Sequence, residues 1–198
     1  MSNRHFRKLQ FTLALGVTIM NTVAAVAQAP AARPDTWATY SKIGTLENCY
    51  LVADGFYRSE QPSKSNMKAV ESSGIKTLVN LRNVRKDNRK SRGTSLHLVH
   101  IPINTWRMSY DDVVLGLSAL KMADKPVLLH CIHGSDRTGV VTAAYRMTEQ
   151  GWTKQAAIDE FLNGGYGYHS GWFPNILRLL ESLDAEKLRA DVRAKENL

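Results

Sequence analysis

Three short apolar runs constrain this chain more than any other feature. IKTLVNLR (75–82), LHLVHIPI (96–103) and KPVLLH (125–130) have the length and branched residues of buried strands. Helical segments punctuate them. NMKAVESS (66–73) follows the cap candidates Ser63 and Ser65 and stops at Gly74. SYDDVVLGLSALKMAD (109–124) opens on Ser and Asp and keeps a three–four spacing through Val113, Leu117 and Leu120. TGVVTAAYRMTEQ (138–150) stops at Gly151. Alternating strands and helices predict an α/β fold: a single domain with a central, largely parallel sheet flanked by helices. In such sheets, sites form beyond the carboxyl ends of the strands.

The flanking segments complete the plan. CYLVADGFYRSEQP (49–62) predicts two short strands around the Asp54-Gly55 turn. TKQAAIDEFLNGG (153–165) reads as a helix closed by glycines, and PNILRLLESLDAEKLRADVRAK (174–195) as one long closing helix with a charged end. NVRKDNRKSRG (83–93) has the composition of a solvated loop, with Arg85, Lys86, Arg89, Lys90 and Arg92 close to Arg82.

The beginning of the chain differs. Arg4, Arg7 and Lys8 precede a run from Leu9 to Ala29 without an acidic or basic residue, and Ala25-Val26-Ala27 offers a cleavage site. The expected organisation is a signal peptide over 1–27, an exposed lead-in over 28–44, a domain over 45–185 and a charged helix end over 186–198. An uncleaved membrane anchor is the alternative reading of 1–27; four Thr and Asn side chains make it polar for a permanent span. Cleavage would lower the net charge from +8 to +5. That balance suits anionic phosphorylated partners and is too weak for nucleic acid. The expected location is periplasmic or secreted.

The chemistry concentrates in HCIHGSDRTG (130–139), where the third strand runs into a helix. A free thiol near pKa 8.5 attacks mainly as thiolate, and backbone amides converging at a helix N-terminus favour that form. Gly134 lets the backbone approach a ligand closely. Arg137, six residues after Cys131, can return a guanidinium to the same anion. A thiolate ringed by amides and one arginine fits a phosphoryl group, with displacement at phosphorus giving a cysteinyl-phosphate. This chemistry requires no metal or cofactor.

These residues resemble the C-x5-R signature of the cysteine-based protein tyrosine phosphatase superfamily, matching HC-x-x-G-x-x-R-[ST]-G throughout. FYRSEQP, IKTLVNLR, HIPI, YRMTEQGWTKQAAIDEF and GGYGYH extend the resemblance over about residues 45–180, to small dual-specificity-like phosphatases of the exported bacterial type. The resemblance implies Cys131 as nucleophile and Arg137 as phosphoryl clamp. It implies a phosphate cradle from the amides of Ile132, His133, Gly134, Ser135, Asp136 and Arg137. His130 and Thr138 would support the sulfur, and Arg58 would be structural. The implied substrate is phosphotyrosine, with phosphoserine and phosphothreonine as further candidates.

One part of the pattern is missing. Such phosphatases generally carry an Asp some 25–35 residues before the cysteine, as general acid. Here that region reads HIPINTWRMS, Trp106 stands about where the acid belongs, and no carboxylate occurs from Asn88 to Tyr110. The candidates are Asp136 inside the loop, Asp111 or Asp112 at a helix start, or no acid at all. Asp136 also reads as a structural acceptor. Trp106, Tyr166, Tyr168, His169 and Trp172 either rim the pocket or seal the core, and a Cys49–Cys131 disulfide is open. The rival functions are an inositol-phosphate or phosphoinositide phosphatase, suggested by Asp136 and the basic loop, and a non-catalytic phosphate-binding module. A sulfurtransferase is disfavoured by the five-residue gap before Arg137.

Overall fold

The computed structural model describes residues 33–196. The expected signal peptide lies outside the described residues. Six strands form one sheet: β1 (Thr39–Tyr40), β2 (Tyr50–Ala53), β3 (Phe56–Ser59), β4 (Thr77–Arg82), β5 (His97–Ile103) and β6 (Val127–His130). Their order is β1-β2-β3-β6-β4-β5. β1, β2 and β3 pair antiparallel, while β3, β6, β4 and β5 run parallel, so the sheet is largely parallel as expected. Parallel neighbours must be joined by crossovers; helices supply those from β3 to β4 and from β5 to β6, and segment 83–96 joins β4 to β5 without one.

α1 (Lys64–Ser72) is capped by Ser63, whose side chain accepts from the Asn66 amide. α2 (Tyr110–Met122) opens with a reciprocal capping box between Ser109 and Asp112. α3 (Asp136–Glu149) starts two residues earlier than expected, and α4 (Lys154–Asn163) follows with Thr153 as its cap. β6 is buried at all four residues, and Leu128 and Leu129 point into two separate apolar clusters. Its carboxyl end carries His130 and Cys131 into the α3 N-terminus, at the place the sheet topology favours for a site.

Two expectations are corrected. The closing helix is two helices, α5 (Pro174–Ser182) and α6 (Ala185–Glu196), because Leu183 is extended and Asp184 caps the second by accepting from the Lys187 amide. α6 is no loose charged end, since Leu188 and Val192 are buried. The lead-in is not exposed throughout. Ala38 and Ile43 are buried, β1 joins the sheet, and the Ala38 amide donates to Glu160 Oε1 at 2.7 Å. Arg33 extends this anchorage, donating to Gly164 O and to Tyr166 Oη. The Cys49–Cys131 disulfide, left open by the sequence, is not formed. Cys49 and Cys131 are both free thiols and belong to different core clusters, Cys49 with Leu128 and Cys131 with Leu129.

A buried ion pair ties α3 to α4. Arg146 donates from Nε to Glu160 Oε2 at 2.7 Å and from Nη2 to Oε1 at 2.8 Å, a fork-on-fork arrangement. Among the described residues, no helix is long and apolar enough to cross a membrane.

Candidate active site

The loop from Cys131 to Ser135 is held from outside by its carbonyls. Ile132 O accepts from the Gln61 amide at 2.9 Å, His133 O from Asn48 Nδ2 at 2.7 Å, and Gly134 O from Arg58 Nη2 at 2.6 Å. Three consecutive carbonyls turned outward leave the loop amides on the opposite, inner side, which is the arrangement of an anion nest. Gly134 has φ +73, and a Cβ there would come within 2.5 Å of the Ser59 carbonyl carbon and oxygen. Only glycine lets the loop lie against the end of β3.

Arg58 is buried and its guanidinium lies 3.7 Å from the centre of the Tyr166 ring. Its role in the structure is to hold the loop, as the resemblance implied. Tyr166 is itself buried, and burial pushes its phenol up to about 12.

Arg137 is anchored from behind. Its Nη1 donates to Leu81 O at 3.2 Å and Ile103 O at 3.1 Å, the carboxyl ends of β4 and β5. Its Nε is buried without a partner among the described residues. The Nε–Nη2 edge of the guanidinium is therefore the one available to two oxygens of an anion. Thr138 Oγ1 is likewise buried without a partner among the described residues. Cys131 is 1 % exposed at the strand end.

His130 is fully buried between two acceptors. Its Nδ1 lies 3.0 Å from Cys131 O and its Nε2 2.9 Å from Asp87 Oδ2. Both ring nitrogens thus face an acceptor oxygen. Burial alone would raise the Asp87 carboxyl. The hydrogen bond and charge of His130, with bonds from Gln61 and Asn80, outweigh burial and hold it below the usual carboxylate range. Asp87, Asn48 and Gln61 escaped the sequence reading. The signal for Asp87 was present: it is the one acid in the basic segment 83–93. Asn48 also carries a positive φ of 49, a conformation that favours asparagine over most side chains.

The acid candidates separate clearly. Asp112 accepts from Ser109 N and Oγ, so it belongs to the helix cap, and Asp111 is exposed in the same first turn. Asp136 is buried, and both its oxygens face His169: Oδ1 accepts from the His169 amide at 3.0 Å and Oδ2 lies 2.9 Å from Nδ1. Asp136 is one of the acid candidates that the sequence leaves open. Its carboxylate is an acceptor spent on a neighbouring loop, which is the structural alternative.

The aromatic residues divide as well. Tyr166 seals the core, and Tyr168 Oη donates to Phe173 O. Trp106, 62 % exposed on a short turn after β5, packs edge-on against Phe173 at 4.8 Å. His169 lies 5.1 Å from His133 and 6.4 Å from Phe173 between ring centres. Trp172 is exposed.

Beside this site, Gln61, Arg82, Arg85, Lys86, Arg89 and Lys90 line a cleft of about 330 Å³. Partial burial and the nearby Arg137 and Arg85 charges push Arg82 below its ordinary value. Arg92 is outside this cleft.

A family model described as DSP-PTPase phosphatase fused to NAD+ kinase matches residues 39–166. The dual specificity protein phosphatase TpbA of Pseudomonas aeruginosa is 31% identical over 163 residues, covering 81% of this chain and 73% of that protein. The chain belongs to the dual-specificity-type protein tyrosine phosphatase family. The crystal structure of a TpbA cysteine-to-serine variant in complex with pTyr superposes with a TM-score of 0.72 at 28% identity, over 81% of this chain and 98% of that one. The core catalytic domain of the PP-IP phosphatase SIW14 from S. cerevisiae shares the fold, with a TM-score of 0.61 at 22% identity over 76% of this chain and 93% of that one. The family assignment accords with the resemblance read from the motif.

Proposed function

We propose that this protein hydrolyses phosphotyrosine, with phosphoserine and phosphothreonine as further substrates, through a cysteinyl-phosphate on Cys131. The observation that carries this reading is the loop itself. Its three carbonyls are tied outward, so its amides can face three phosphoryl oxygens, and Arg137 offers its Nε–Nη2 edge to two of them. Likeness to TpbA, whose variant was crystallised with pTyr, supports the substrate.

In the first step Cys131 Sγ attacks phosphorus, the bond from phosphorus to the leaving oxygen breaks, and that oxygen gains a proton. Charge on the equatorial oxygens is met by the loop amides and Arg137. The His130–Asp87 pair sits behind the cysteine and orients the strand end, while Thr138 Oγ1 can donate to the sulfur as it leaves. Water then attacks phosphorus, inorganic phosphate departs and the thiolate returns.

The reading includes export to the periplasm or beyond. It rests on the basic start, the uncharged run from Leu9 to Ala29 and the small residues around Ala27. Cell fractionation with N-terminal sequencing tests it; a cytoplasmic protein that keeps residues 1–27 would reject it.

Phosphate release from a phosphotyrosine peptide tests the activity, with Cys131→Ser as the blank. Release by the wild type that vanishes in the variant is expected. Equal release by both proteins would overturn the cysteine mechanism, and binding without release would favour a phosphate-binding module. The cleft of Arg82, Arg85, Lys86, Arg89 and Lys90 favours a second reading, a small anion carrying several phosphates. Faster release from inositol polyphosphates than from the peptide would select it.

A further inference from the structure

We propose that His169 is the general acid of this phosphatase and that Asp136 is the residue that positions it. The inference deepens the cysteinyl-phosphate reading above and depends on it. A phenolate leaves slowly unless a positioned group protonates it, and such a group contributes about 10²–10⁴-fold. The region that supplies an aspartate in related sequences carries Trp106 here, and no carboxylate occurs between Asn88 and Tyr110. Of the carboxylates nearby, Asp87 is bound to His130, Asp112 to Ser109, and Asp136 to His169. Each is an acceptor, Asp87 and Asp136 through both oxygens and Asp112 through Oδ2.

His169 differs from all of them. Asp136 holds it twice, through the backbone amide and through Nδ1, which locks the ring relative to the first residue of α3. An acceptor on Nδ1 means that Nδ1 carries a proton and that Nε2 is the atom free to exchange one. Nε2 makes no hydrogen bond among the described residues, and the side chain is 37 % exposed. The loop carrying His169 packs on the phosphate loop. A Cβ at Gly167 would touch Ser135 Oγ at 3.4 Å, and Asn48 Nδ2 bridges His133 O and Tyr166 O. The row His133, His169, Phe173, Trp106 runs from the cysteine loop to the segment where the aspartate is absent. An aspartate holding one imidazole nitrogen while the other moves a proton is a well-founded division of labour.

The proton balance closes over the two steps. As Sγ bonds to phosphorus and the ester bond breaks, the leaving oxygen keeps the electron pair and takes the Nε2 proton, leaving neutral imidazole. Nε2 then takes a proton from the attacking water as its oxygen bonds to phosphorus. The sulfur–phosphorus bond breaks, its electron pair returns to Sγ, and hydrogen phosphate leaves.

The test is the dependence of kcat/KM on the acidity of the leaving phenol, across phenyl, nitrophenyl and dinitrophenyl phosphates. Wild-type protein is expected to show a shallow dependence. His169→Asn and His169→Gln are expected to lose about 100-fold with phenyl phosphate and less than about threefold with dinitrophenyl phosphate, whose phenolate leaves unaided. Asp136→Asn is expected to fall between them. Because the dinitrophenyl reaction still needs the intact loop, it reports folding of each variant. Equal losses on all esters in both His169 variants, or no loss on any, would overturn the proposal. So would steepening in His133→Asn instead. Cys131→Ser separates the two levels: if it still hydrolyses dinitrophenyl phosphate, the cysteine mechanism itself fails.

Discussion

Asp87 and His130 stand 43 positions apart in the chain and 2.9 Å apart in the structure. The pair links the basic segment after β4 to the residue preceding the cysteine, and both partners are buried. His130 in turn reaches Cys131 O, so a change at Asp87 is felt one residue from the sulfur.

Asp87→Asn is therefore expected to cost about 2 kcal/mol of stability, the scale of a charged buried hydrogen bond. It should also lower kcat more than it raises KM, because the phosphate-contacting residues stay in place. Urea unfolding and steady-state kinetics check the two parts separately. A KM effect alone would reject the role given to the pair.

The acid limb of stability should trace to Asp87 and Glu160. Burial would raise both carboxyls, but hydrogen bonds and opposite charge hold both below their ordinary values, His130 acting on Asp87 and Arg146 on Glu160. The unfolded chain thus takes up these protons first as pH falls. The stability they add is complete above the unfolded values near 4 and is lost as pH drops through the folded ones. Glu160→Gln should cost roughly 3–5 kcal/mol at neutral pH by leaving Arg146 buried and unpaired. It should also flatten the decline below about pH 4. Denaturation midpoints from pH 3 to pH 7 measure both effects.

Gly134→Ala is expected to abolish turnover. Its Cβ would meet the Ser59 backbone at 2.5 Å in a conformation, φ +73, that side chains rarely adopt. The loop must move, and loss of one oxyanion donor already costs about 10²–10³-fold. Phosphatase assays on folded variant, verified by circular dichroism, decide the matter.

Arg137→Lys should fail although charge is retained. The guanidinium uses Nη1 on Leu81 O and Ile103 O and still presents a second edge, whereas an ammonium cannot do both. A fall of at least about 100-fold in kcat/KM is expected.

Cys49 should prove inert. Burial pushes its thiol up to about 11, so only about 10⁻⁴ of it is thiolate at pH 7. Iodoacetate should inactivate wild-type and Cys49→Ser proteins at the same rate.

Much of the fold was legible because it is local. β4, β5, β6 and the helices α1 to α4 announce themselves through apolar periodicity, caps and glycine stops. The long closing helix was misread because Leu183 keeps the apolar rhythm while only backbone geometry reveals the break before Asp184. The lead-in was misread because Ala38 is tied to Glu160, 122 residues later, and Ile43 packs in a cluster with Met67 and Val70.

The sequence by itself determined the α/β class, the spacing of Cys131 and Arg137, and the absence of a carboxylate from Asn88 to Tyr110. These follow from residue type and short spacing, which no packing alters. Tertiary structure alone decided what each polar group serves. Asp136 has the same carboxylate in sequence and in space, but its partner lies 33 residues away on another loop, and the hydrogen bonds from His169 make it an acceptor. Asp87, Asn48, Gln61 and Arg58 likewise reach the cysteine loop or His130 only because the strands bring distant segments together. A proton donor is defined by its surroundings, and those surroundings exist only in the folded chain.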